Sequence, residues 1–196
     1  MKNLEIFECV NIDNYFNNRV VYDPNKRDEI VGIDGDAYID KTFPKMNAIS
    51  KTDDNVPIHF AKTEKGDNII AQNQTIEIKQ GTYTKAYFFG FMHWGAKYDY
   101  VKFRFSNGCE IKKKVWFYDW NNPADEAIDS GRLIDGFDRV KKICKCVGIS
   151  KYGLGVKGAV YVYSYDVDLP RNAELIEIIL PDNMFMHIFA ITLKKI

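Results

Sequence analysis

The chain has no excess of either charge: 27 Lys and Arg are matched by 27 Asp and Glu over 196 residues, a formal net charge of zero. A general nucleic-acid binder carries a strong basic excess or stripe, so nucleic acid is not an expected partner. No window approaches the roughly eighteen or more apolar residues of a membrane span, which excludes a spanning helix from the expectations. The start Met1-Lys2-Asn3-Leu4-Glu5 leads into no apolar signal core. The chain as it stands is therefore expected in the cytoplasm; a mature form from which a signal had been removed would be secreted.

Sulfur and imidazole are also scarce. The four cysteines, Cys9, Cys109, Cys144 and Cys146, are even in number but poorly spaced for a disulfide framework, and Cys144-Lys145-Cys146 lacks the two-residue spacing of zinc and redox pairs. Reduced structural thiols in a reducing compartment are expected, with Cys109 buried because its place in the alternation puts it on a core face. The three histidines, His59, His93 and His187, fall one to a segment, without His-x-His or His-Glu-x-x-His spacing for a metal. A Gly-x-Ser-x-Gly elbow, a phosphate loop and a dinucleotide fingerprint are all missing. Asp125, Glu126 and Asp129 are close in sequence but sit in a polar stretch where a solvated surface is the simpler account. Catalysis is not expected.

Helix signals are weak as well. Only Asp138 to Val147 shows a helical stripe, through Val140, Ile143, Cys144 and Val147, and it fits a strand about as well. The chain is instead rich in aromatics, with 12 Tyr and 13 Phe, which favour strands. Apolar segments at Val56 to Ala61, Asn68 to Ala71, Thr75 to Ile78, Lys85 to Met92, Val156 to Tyr165, Leu175 to Leu180 and Ile188 to Leu193 are separated by Gly, Asn and Pro. That spacing predicts an all-β antiparallel sandwich or barrel. One domain over residues 1–196 is expected, since a chain of this length buries roughly 70% of its unfolded surface in one core. It should have a loop-rich N-terminal part to about residue 55 and a polar excursion over about 120–136.

Tyr98 to Trp120 specifies its own register. Val101, Phe103 and Phe105 share one face of the first run, and Cys109, Ile111, Val115 and Phe117 share one face of the second. A two-residue Asn107-Gly108 loop would set Phe105 against Glu110 and mix core with solvent. A three-residue loop, with Gly108 left-handed after a type I turn, sets Phe105 against Cys109, Phe103 against Ile111 and Arg104 against Glu110. Asp99 and Lys113 are misfits on the core face. Tyr98 then faces Trp116 and Tyr100 faces Lys114 on an outer, aromatic and charged face that suits polar ring-shaped ligands.

Val56-Pro57-Ile58-His59-Phe60, Asn68-Ile69-Ile70-Ala71, Gln74-Thr75-Ile76, Ser106-Asn107-Gly108, Asp119-Trp120, Leu180-Pro181-Asp182-Asn183 and Ile188-Phe189-Ala190-Ile191-Thr192-Leu193 occur in the order of a known family. In these pieces the chain, from about residue 15 to its C-terminus, resembles the jelly-roll β-sandwich domain that accompanies bacterial glycoside hydrolases and is similar to carbohydrate-binding modules. The resemblance implies a jelly-roll (galactose-binding-like) topology and an association with glycans or with a separate glycan-processing enzyme. The family pattern has Gly where this chain has Asn73, a residue that tolerates left-handed backbone.

The expected function is a non-catalytic carbohydrate-binding or accessory module. Its ligand would be held by His93, Trp94, Tyr98, Tyr100, Arg104, Trp116 and Tyr118, through aromatic stacking and charged hydrogen bonding. Against this stand blander roles: Trp94 plugging one end of the sandwich, the outer hairpin aromatics forming a second small core, and Asp119 accepting backbone hydrogen bonds in the turn after its strand. Tyr161, Tyr163 and Tyr165 form another row opposed by Val160 and Val162, and either row could face inward. No cofactor is expected beyond a structural calcium ion, which the resemblance suggests near Asp34, Asp36 and Asp40 or near Asp53-Asp54-Asn55. The same aromatic surface would equally serve an interaction protein that docks a partner chain or forms a homo-oligomer.

Overall fold

The computed structural model describes residues 7–29, 32–95, 97–121, 139–152 and 156–196. The polar excursion lies outside them from residue 122 on, and with it Asp125, Glu126 and Asp129. Among the described residues fourteen strands follow in chain order: β1 (Phe7–Cys9), β2 (Val21–Tyr22), β3 (Asp36–Ile39), β4 (Ala48–Lys51), β5 (Pro57–Phe60), β6 (Ile69–Gln72), β7 (Thr75–Gly81), β8 (Tyr83–Met92), β9 (Lys97–Phe105), β10 (Glu110–Phe117), β11 (Lys141–Ser150), β12 (Val156–Asp168), β13 (Leu175–Ile179) and β14 (Asp182–Lys195). Each apolar segment of the sequence forms one of them. The ambiguous stretch up to Val147 is a strand from Lys141 on, because β11 pairs with β12 there and buries Cys146; Asp138 lies outside the described residues.

The large sheet runs β1-β14-β8-β12-β11-β3-β2, with β6 also on β14, and the small sheet runs β10-β9-β13-β7. Four strands of each give the orders β6-β14-β8-β12 and β7-β13-β9-β10, in which the chain alternates between sheets except at the β9–β10 hairpin, as in a jelly roll. The pairings among the described strands are antiparallel except at one edge, where β2 and β3 run parallel. A separate β4–β5 hairpin packs on the large sheet beside β14.

Both faces of the large sheet are therefore covered. Phe88 meets Phe103 of the small sheet, while Phe91, on the other face, joins Tyr38, Trp120 and Phe189. The same double cover answers the question of the β12 rows: Tyr163 and Tyr165 turn to the small sheet, Val160 and Val162 turn the other way, and all four are buried.

The hairpin has the three-residue loop. Gly108 is left-handed at φ +83, the Phe105 N–H donates to the Cys109 carbonyl, and the pairs Arg104–Glu110, Phe103–Ile111, Tyr100–Lys114 and Tyr98–Trp116 all form. Val101, Phe103, Phe105, Val115 and Phe117 are buried. The core-face misfit Asp99 is accommodated by Asn183, whose amide donates to its carboxylate at 3.0 Å. Cys109 corrects the expectation of burial: it belongs to the turn rather than to β10, and it is exposed. Asn73 adopts the left-handed backbone that the Gly of the resembled pattern would supply, at φ +59.

Candidate functional site

One end of the sandwich gathers the β8–β9 connection, the β2–β3 connection and the chain beyond β11. Here Ile33 and Asp36 exchange two backbone hydrogen bonds of 2.8 Å around Asp34-Gly35, whose φ values of +49 and +85 make the turn a type I′. The Asp34 carboxylate accepts the indole N–H of Trp94 at 3.3 Å and lies 3.7 Å from Nε2 of His93. Trp94 itself is left-handed, at φ +66, and 66% exposed. Next to it, the Asp119 carboxylate accepts the Gly95 N–H with one oxygen and the Asn121 N–H, at 3.2 Å, with the other. Asp119 thus has its expected turn role and holds the Trp94 loop as well.

Tyr152 completes this end and had no sequence signal. Ser150 pairs with Asp36 and Lys151 N donates to Gly35 O at 3.0 Å, which brings Tyr152 onto the turn. A Cβ on Gly35 would come within 2.4 Å of the Tyr152 ring, so only glycine allows the contact. Tyr152 is 67% exposed. Two exposed aromatic rings therefore stand on this turn, Trp94 at the Asp34 carboxylate and Tyr152 at Gly35.

His93 reaches inward from the same loop toward His187, with ring centroids 6.5 Å apart. His187 is buried, and its Nδ1 lies 3.0 Å from Asn68 Oδ1 and 3.4 Å from Asn18 Nδ2. Asn68 in turn donates to Asp67 at 2.9 Å, and Asp67 accepts the backbone N–H groups of Val20 and Val21. Burial, with the His93 charge adding to it, lowers the His187 pKa to about 3, so the ring is neutral. Burial raises the Asp67 pKa against its three hydrogen bonds. This link between histidines from two segments, invisible in their spacing, supports the loop from below.

The outer hairpin face is only partly the expected platform. Tyr98 and Tyr100 are exposed and stand edge to face at 5.8 Å. Trp116 lies opposite Tyr98 as the register requires, but it is 3% exposed with the Tyr98 ring against it at 4.6 Å, so it cannot stack on a ligand. Tyr118 is buried for a different reason. The chain leaves the small sheet after Phe117 and joins the end of β8 through Met92 N to Tyr118 O and Trp120 N to Met92 O, which turns Tyr118 onto Tyr163. Arg104 is engaged by Glu177 at 2.5 Å and Glu110 at 3.5 Å.

The proposed calcium ligands are not brought together. Asp34 faces Trp94 and His93, Asp36 pairs in the large sheet beside Ser150, and the Asp40 carboxylate accepts the Lys41 N–H. Among the described residues no group of three or more His, Cys, Asp or Glu side chains is placed to hold a metal ion. Among them, too, no helix is long and apolar enough to cross a membrane.

No curated protein matches the chain in sequence. The family model of the AziU2-like beta-sandwich domain matches residues 8–196, from β1 through β14, and the chain belongs to that family.

Proposed function

We propose that the protein is a non-catalytic glycan-binding module, acting alone or as the accessory of a separate glycan-processing enzyme, with its ligand seated on Trp94 and Tyr152 around Asp34. The presentation of Trp94 carries this reading. Leaving an indole 66% exposed forgoes burial, and a left-handed β-substituted residue costs about 1 kcal/mol or more. Hydrogen bonds donated by the Trp94 indole to Asp34 and by the Gly95 N–H to Asp119 hold the arrangement in place. An aromatic face beside a carboxylate and an imidazole suits the apolar face and hydroxyls of an uncharged sugar.

A competing reading is a docking surface for a partner chain or a second copy. It is favoured by Met184, 65% exposed at the start of β14 beside Phe185, whose carbonyl accepts the His93 N–H. A polar sugar has no use for that thioether, whereas protein interfaces are enriched in Met.

A glycan array with the full chain, Trp94→Ala and Tyr152→Ala separates the two. Binding of uncharged glycans that falls at least about tenfold in Trp94→Ala and recovers in Trp94→Phe supports the module. An empty array, together with a concentration-dependent sedimentation shift abolished by Met184→Ser, supports docking instead.

A further inference from the structure

The outer face of the β9–β10 hairpin carries a charge arrangement that folding alone does not favour. Lys102 and Lys112 are directly opposite each other across the pair, and Lys114 follows one row on, opposite Tyr100. A like-charge pair at this position is destabilising. The neighbouring row shows the alternative: there Arg104 meets Glu110 and, from β13, Glu177. Among the described residues no carboxylate stands within ion-pair distance of Lys102, Lys112 or Lys114, while Lys114 lies 4.8 Å over the Tyr98 ring. The chain as a whole is neutral, so this positive field is local.

Protection of an exposed sheet edge does not explain it. Lysines on the edge strand β10 discourage pairing with other chains, but Lys102 sits on β9, which is flanked by β10 and β13. Strand geometry spaces Lys112 and Lys114 by roughly 6.5–7 Å along the strand, and Lys102 and Lys112 by about 5 Å across it. Tyr98 and Tyr100, both more than 40% exposed, share this face, Tyr98 under the Lys114 ammonium and Tyr100 opposite Lys114 in the pair.

We infer that this face binds an acidic polysaccharide, its carboxylate or sulfate groups on Lys102, Lys112 and Lys114 and its sugar rings on Tyr98 and Tyr100. The choice of a sugar polymer rests on the glycan reading above. The surface is separate from the Trp94 end, where the exposed carboxylate of Asp34 suits an uncharged ligand.

The test is retention of the full chain by immobilised polygalacturonate and dextran sulfate, with uncharged dextran, poly-glutamate and single-stranded DNA alongside. Lys112→Glu puts a carboxylate opposite Lys102 in place of a second ammonium, so it is expected to hold or raise the urea midpoint while weakening the acidic glycan by about tenfold or more. Trp94→Ala should leave that binding intact, so failure of the Trp94 site and failure of this one are read separately. Retention by polygalacturonate assigns the carboxylate, and by dextran sulfate alone the sulfate. The inference is overturned if neither polymer binds, if Lys112→Glu binds them unchanged, or if poly-glutamate or single-stranded DNA binds equally well.

Discussion

The imidazole of His187 lies flat on the ring of Phe91, with centroids 4.4 Å apart and 12° between planes. A ring so placed is neutral, with its pKa down at about 3 against an ordinary 6.5. Below about pH 6.5 the unfolded chain takes up a proton that the native state refuses, so stability falls as pH falls through the window from 6.5 toward 3. The slope approaches about 1.4 kcal/mol per pH unit within that window, a sizeable share of the roughly 5–15 kcal/mol that holds a domain folded. Asp67 acts with the opposite sign, since its raised pKa lets the native state take up a proton first as pH falls. Urea unfolding at pH 7.5 and pH 5 should therefore show a steep loss in the parent chain and a shallower one in His187→Gln. Equal slopes in both would mean that the native state protonates His187 freely.

Gly90 is a point of close backbone approach inside the large sheet. A Cβ there would stand 2.0 Å from the His187 carbonyl oxygen and 3.2 Å from the Phe117 ring. The first clash is with backbone, where β14 bulges between Ile188 and Ala190, and it cannot be relieved by a side-chain rotation. Gly90→Ala is expected to cost about 3 kcal/mol or more, read as a drop in the urea midpoint or as loss of soluble protein.

Gly108 is the contrasting case. A Cβ added at this position would have nothing within 4 Å, so Gly108→Ala meets only the left-handed backbone at φ +83. The cost should be about 1 kcal/mol, and Gly108→Asn should recover part of it. A cost as large as that of Gly90→Ala would mean that the turn is constrained by something other than its own dihedral angles.

How far the fold can be read from the sequence follows from where each signal originates. The hairpin register is legible because alternation and turn chemistry are local, and Arg104 opposite Glu110 has to follow once Gly108 closes a three-residue loop. The jelly-roll order follows from the spacing of apolar segments and the resemblance together. Trp116 and Tyr118 depart from expectation because alternation says which face a residue takes, not what covers that face. It also fails where the chain crosses between sheets, as it does after Phe117. The site is legible at Trp94, from a loop Trp beside Gly, but its partners Asp34 and Tyr152 come from distant segments joined only by the β3–β11 pairing. His93 and His187 meet for the same reason: long-range pairing sets their proximity, and no spacing rule could show it.

Asp119 offers the sharpest separation of binding from stability. Its two carboxylate oxygens tie the N–H of Gly95 to the N–H of Asn121, and so join the loop that presents Trp94 to the chain leaving β10. Asp119→Asn keeps one acceptor and puts a donor amide where the second acceptor was, so one of the two N–H groups loses its partner. Both lie at a partly exposed loop, where water can replace the bond, and the cost in stability should stay near about 1 kcal/mol. The cost to presentation is larger: with Gly95 released, Trp94 at φ +66 keeps its indole bond to Asp34 and its ring contact with His93 but loses the tie on its backbone, and is expected to leave the left-handed region. Trp94 fluorescence should then become more quenchable by acrylamide, while the buried Trp116 and Trp120 stay protected. Affinity for an uncharged glycan should fall about as far as in Trp94→Ala, with the urea midpoint little changed. Unchanged quenching together with unchanged affinity would show that the indole is positioned by Asp34 alone.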